Sequence, residues 1–94
     1  MEYGIRAAIK TIRTYVTKHG CNNMQDIIRR WAPPSENKTD EYVKAVFCES
    51  GIYPDDEINI YDRHQMGNLI QAMALIESRY HMTASMFDKA WDLL

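Results

Sequence analysis

The chain has 94 residues, 46% of them hydrophobic, with 11 Lys+Arg against 13 Asp+Glu and a formal charge of −2. That composition excludes a disordered chain, and the bulk charge speaks against a nucleic-acid binder. No apolar run approaches 18 residues and no signal-peptide pattern is present, which excludes a membrane-spanning helix read from sequence.

A chain of this length is expected to form one helical domain over residues 1–94, burying roughly 60–65% of the surface its unfolded form exposes. Charge is unevenly placed. Residues 1–47 hold eight Lys/Arg and five Asp/Glu, a balance of +3, while residues 48–94 hold three and eight, a balance of −5. The two halves therefore attract each other across the fold, or present a basic face to an anionic partner.

The first helix is predicted from about Tyr3 to His19, with Ile5, Ala8, Ile9, Ile12, Tyr15 and Val16 on one apolar stripe and Gly20 as a left-handed cap. Asn23 and Asp26 resemble a capping box that opens a short second helix, with Met24, Ile27, Ile28 and Trp31 inward and Pro33-Pro34 as its stop. The third helix is predicted to start at Thr39 as N-cap and to end at Gly51, burying Tyr42, Val43, Val46 and Phe47. Residues 52–61 read as a loop with a short extended piece at Ile58-Asn59-Ile60. Asp62 and Gln65 form another capping pair, opening a fourth helix that runs to about Tyr80 with Met66, Leu69, Ile70, Met73 and Ile76 inward. Gly67 within it allows another helix to approach closely. Thr83 opens a fifth helix whose face of Met86, Phe87, Ala90, Trp91 and Leu94 closes the core rather than a dimer contact. The expected fold class is all-α, a bundle of about five short helices. Cys21 and Cys48 fit no metal spacing and read as reduced core or near-core residues.

Candidate chemistry concentrates in two places. The run Trp31-Ala32-Pro33-Pro34-Ser35-Glu36-Asn37 is stiffened by its prolines, which fix their own φ and push each preceding residue toward extended geometry. Together with Tyr42, one turn into the third helix, it offers an aromatic face, an amide and a carboxylate, which suits a sugar ledge. The bland alternative has Trp31 in the core and Ser35 or Asn37 capping the third helix. The second place is Glu77. A glutamate beside an apolar helical stripe can be desolvated, as a general acid requires, and Glu77-Ser78 with Tyr80 resembles the short catalytic-glutamate motif of lytic transglycosylases. Glu49-Ser50 is a similar fragment, read as solvent-facing or beside an Arg. His19, His64 and His81 form no metal-binding pair, so no metal and no cofactor is expected.

Tyr3-Gly4-Ile5-Arg6-Ala7, Thr14-Tyr15, the Arg30-to-Asn37 run, Thr39 and Tyr42 together resemble a phage and prophage protein family of the "P5" type, described as virion structural proteins. The resemblance continues through Gly51-Ile52, Pro54-Asp55-Asp56 and Ala74 to Glu77. It implies distant kinship with lysozyme-like, peptidoglycan-active proteins. It also implies that longer members carry a segment rich in Arg, Asn, Pro and Gly before the Gly-Ile-Arg-Ala point; if catalytic or substrate-binding residues lie there, this chain is not the complete enzyme.

The leading expectation is a non-catalytic, virion-associated structural or interaction module, with Trp31, Ser35, Glu36, Asn37 and Tyr42 as binding residues. Its partner would be a virion protein or peptidoglycan glycan, and its location the virion, or the bacterial cytoplasm when expressed from a prophage. A monomer without membrane contact is favoured. The alternative is a muralytic, peptidoglycan-cleaving protein with Glu77, then Glu36, as the acid. A small nucleic-acid-binding protein using Arg6, Lys10, Arg13, Arg29 and Arg30 is the least favoured reading.

Overall fold

The computed structural model describes residues 2–35 and 38–94 and, within them, five helices and no strand. They are α1 (Glu2–His19), α2 (Met24–Trp31), α3 (Thr39–Ser50), α4 (Arg63–Ser78) and α5 (Ala84–Asp92). The chain is all-α, as the apolar periodicities predict. α4 runs centrally, packed along α3 on one side and against α5 and α1 on others, while α1 lies along α5 and α2 joins α1 to α3. The core is built from the predicted stripes: Ile5, Ile9 and Ile12 of α1, Met24, Ile27 and Ile28 of α2, Val43 and Val46 of α3, Met66, Leu69, Ile70 and Met73 of α4, and Phe87 and Ala90 of α5.

Residues 52–62 do more than connect α3 to α4. A short helix such as α2 leaves its first amides without intrahelical acceptors. Here the Met24 and Gln25 amides donate to the carbonyls of Asp56 and Pro54, at 3.1 and 2.9 Å. Asn23 Oδ1 accepts from the Asp26 amide at 2.9 Å, as a capping residue should. An isolated antiparallel bridge pairs Asn23 with Glu57, and Ile52, Ile58 and Ile60 are buried beneath. The loop is thus a cap for α2 and a lid on the core together.

Several local expectations need correction. Thr39 is the first helical residue rather than the N-cap. That position falls to Lys38, which gives no side-chain cap, while the Thr39 hydroxyl donates to the Ala32 carbonyl and ties α3 back to the end of α2. Ser35 accordingly does not cap α3, and Asn37 lies outside the described residues. Gln65 does not close a capping box with Asp62. The Asp62 carboxylate caps α4 alone, accepting from the His64 and Gln65 amides at 3.0 and 3.2 Å. The Gln65 side chain instead accepts from the Asn59 amide and donates to the Glu57 carbonyl, bracing the loop. Phe47 is exposed at 36%, its ring tilted 45° against that of Tyr53 with centroids 4.9 Å apart, because it lies on the flank of the α3 stripe. Cys48 is exposed, whereas Cys21 is buried, and burial pushes the Cys21 thiol up against the opposing pull of Arg30.

α4 stops at Ser78, two residues short of the predicted end. Arg79 adopts a left-handed conformation, φ 53°, and its amide returns to the Leu75 carbonyl at 2.9 Å. This conformation brings a side chain's Cβ against the following carbonyl, at a cost of roughly 1–2 kcal/mol. Arg79 is exposed. Arg79→Gly is therefore expected to raise stability by about 0.5–1 kcal/mol in urea unfolding. A loss of stability would mean that the turn is not where the cost resides.

Candidate functional site

The α2–α4 junction brings together residues that are far apart in sequence. α2 ends on Trp31, which the Pro33-Pro34 stop leaves as the last helical residue. Its indole Nε1–H donates to Glu77 Oε1 at 2.9 Å, and Glu77 stands on the last turn of α4. The indole therefore reaches across to another helix. Trp31 is half-buried and Glu77 is exposed.

Tyr42, one turn into α3, packs against the core. Its hydroxyl is shut off from solvent and forms no well-aligned hydrogen bond with a described residue. Burial first, then the negative charge of Glu77 and its carboxylate as a nearby acceptor, push the phenol well above its usual range, while the Trp31 indole acts in the opposite direction.

Trp31 and Glu77 form the polar rim of a groove of about 500 Å³. Its floor is apolar: Ile5 and Ala8 of α1, and Ile70, Met73 and Ala74 of α4. Tyr80 and Met82, which follow α4, line it as well. An apolar trough with a few polar groups at its edge is the usual form of a small-molecule or glycan site. Glu77 is the one carboxylate among the described residues lining it.

Of the sequence-predicted site residues, the structure gathers Trp31, Tyr42 and Glu77. Ser35 is exposed on the α2–α3 connection and lines no part of this groove. Glu36 and Asn37 lie outside the described residues. Tyr80, part of the motif read around Glu77, lines the groove as well, and Met82 is an addition that the sequence reading lacks. The signal for Met82 would have been the helix end at Ser78, which no glycine or proline marks.

Four of the five basic residues considered for nucleic acid have contacts or surroundings of their own. Arg13 lies over the rings of Trp91 and Tyr61 at 4.9 and 5.2 Å, with Nε donating to the Ile60 carbonyl. Arg6 has its Nε buried. Arg29 and Arg30 line a separate concavity with Tyr15, His19 and Asp26, and Arg30 lies over the Tyr15 ring at 5.5 Å. Among the described residues, no three His, Cys, Asp or Glu side chains are placed to hold a metal, and no helix is long and apolar enough to cross a membrane.

No family model matches the chain, and no solved structure matches it. Over 57 residues it is 40% identical to Protein P5 of Pseudoalteromonas phage PM2. The match covers 61% of this chain and 36% of that protein, so the chain spans little more than a third of the relative's length. By sequence, then, the chain is related to a phage protein of the P5 type.

Proposed function

We propose that the chain is a virion-associated interaction module of a phage or prophage, and that its Trp31–Glu77 groove takes the N-acetylated glycan of the bacterial cell wall without cleaving it. The observation that carries this reading is the groove, with its half-buried indole, one exposed carboxylate and apolar floor. An acetamido group has matching chemistry. Its N–H can donate to the oxygen of Glu77 that Trp31 leaves free, and its methyl can lie on Ala8, Met73 and Ala74. The phage relationship supplies a setting in which a cell-wall contact is useful.

Binding is favoured over cleavage because glycoside hydrolysis generally uses two carboxylates facing each other across the scissile bond. The described lining has one, and one of its oxygens is already engaged by the indole. The test is an NMR titration of the folded protein with soluble peptidoglycan fragments, following the Trp31 Nε1–H and assaying for cleavage products. Saturable shifts at the indole without products are expected. A titration that leaves the indole unmoved would sink the glycan reading and direct attention to a virion protein as partner.

A muralytic reading remains second, because a transglycosylase can act with one glutamate and Glu77 stands at the groove's rim. It requires products in the same titration and their loss in Glu77→Gln. Under the binding reading Glu77→Gln keeps an acceptor oxygen, so affinity falls only a few-fold, by roughly 1 kcal/mol.

A further inference from the structure

We propose that the concavity between the end of α1 and the last turn of α2 is a second binding site, and that it takes a zwitterionic amino-acid group, with the carboxylate on Arg29 and Arg30 and the neighbouring ammonium on Asp26. Its lining shares no residue with the Trp31–Glu77 groove, and only the choice of the cell wall as the ligand's source rests on the function proposed above.

The concavity holds about 690 Å³. Tyr15, His19 and Gly20 line it from the end of α1, and Asp26, Arg29 and Arg30 line it from α2. The three charged residues stand at i, i+3 and i+4, so they share one side of α2. Opposite charges at this spacing commonly close on each other. Here they do not, because the ion pairs among the described residues are those of Arg63 with Asp88 and Asp92. Arg30 instead lies over the Tyr15 ring at 5.5 Å, and the same ring meets His19 edge-on with centroids 6.5 Å apart. A guanidinium held on an aromatic face loses little motion when it binds and keeps its N–H donors for an acceptor. α2 thus offers two positive heads and one negative head to the same open space.

That pattern selects the ligand. Two arginines without a carboxylate would suit a phosphate. A carboxylate one turn away opposes a dianion and supplies what an ammonium needs. The end of α1 adds to the ammonium side, because a helix C-terminus is the negative pole of its dipole. A group with one carboxylate beside one ammonium satisfies both, whereas a phosphodiester chain leaves Asp26 facing like charge. Arg29 also borders a neighbouring concavity with Lys38, Asp40 and Glu41, so Arg30 carries the larger share of the carboxylate contact. Free amino acids present such a group, and so do the diamino-acid side chains of cell-wall stem peptides, the source that the proposed function favours.

An NMR titration of the full chain with free meso-diaminopimelate reads the site through the Gly20 amide and the Arg30 Nε–H. Saturable shifts at both are expected, and their absence overturns the site. Arg30→Gln and Asp26→Asn, checked for folding by circular dichroism, are each expected to weaken binding about tenfold, the size of one hydrogen bond to a charged group. Diaminopimelate acetylated at both amines keeps its carboxylates and loses the ammonium. It is expected to bind the wild type about tenfold more weakly, and Asp26→Asn to erase that preference. Equal affinities for the free and acetylated acids overturn the zwitterionic reading. Inorganic phosphate or a short single-stranded oligonucleotide that shifts the same signals at lower concentration overturns it in favour of a phosphate site. A stem peptide ending in the diamino acid that binds several-fold tighter than the free acid supports the wall as source, and one that binds no tighter overturns that source. None of these ligands carries a sugar, so the Trp31 indole is expected to stay unmoved throughout, and the glycan reading of the groove stands or falls by its own titration.

Discussion

Phe87→Ala is expected to lower stability by about 3–5 kcal/mol, the range for removing a buried aromatic ring. In thermal unfolding that corresponds to a midpoint lower by roughly 15–30 °C for a chain of this size. Phe87 is 2% exposed at the centre of α5, with its ring against Trp91 at a centroid distance of 5.8 Å. On its other side it lies on α4 at Gly67, where a Cβ would stand 3.2 Å from the ring. The site cannot readily collapse, because Gly67 has no side chain to move into the vacated space. α5 has nine residues, too few to persist as an isolated helix, so its survival depends on this docking. The pairing with Gly67 makes the claim specific. Gly67→Ala alone pushes a methyl against the ring and offsets its gain of roughly 1 kcal/mol in helix propensity. In the Phe87→Ala background the same methyl occupies empty space, so it is expected to recover about 1 kcal/mol or more. A double-mutant cycle in urea reads the coupling directly. Additive effects would show that the ring and the glycine do not constrain each other.

Much of this fold is legible in sequence because helical periodicity is strong wherever one face is buried. The stripe Ile5–Ile9–Ile12 and the run from Met66 to Met73 needed no tertiary information, and Asn23, Asp62 and Thr83 announce their helices by side chains that accept from free amides. What was hidden depends on three-dimensional alternatives of similar cost. Thr39 could cap its own helix or bond the Ala32 carbonyl, and the bond to Ala32 won because it also fixes the α2–α3 connection. Arg79 gives no warning of a left-handed turn, since its composition is that of a helix interior. The candidate site was half visible for the same reason. Trp31, Tyr42 and Glu77 are each conspicuous as individual residues, while the sequence alone gives no pairing of Trp31 with Glu77. The hydrogen-bond partner of Trp31 lies 46 positions away on α4, a separation that periodicity does not encode.

Two substitutions at Trp31 divide packing from recognition. Trp31→Ala removes a half-buried ring that packs against the core, the indole donor and one wall of the groove together. The expected cost in stability is about 2–3 kcal/mol, below the value for a fully buried aromatic because part of the ring is already in water. Most proteins of this size have ~5 kcal/mol or more to lose, so the variant should still fold at room temperature. Binding of peptidoglycan fragments is expected to vanish within the concentration range where the wild type saturates. Trp31→Phe keeps a flat ring on the groove and removes the N–H. It should cost about 1 kcal/mol in stability, the worth of a hydrogen bond to a partly solvated carboxylate, and should weaken fragment binding without abolishing it. The graded order of wild type, Phe and Ala is the informative result. A ring surface that stacks on sugars predicts that Phe lies closer to wild type. A role confined to holding Glu77 predicts that Phe and Ala weaken binding equally. A folded Trp31→Ala protein that still binds the fragments with undiminished affinity would remove the groove from the function altogether, and would leave the Trp31–Glu77 bond as a clasp between α2 and α4 that serves the fold alone.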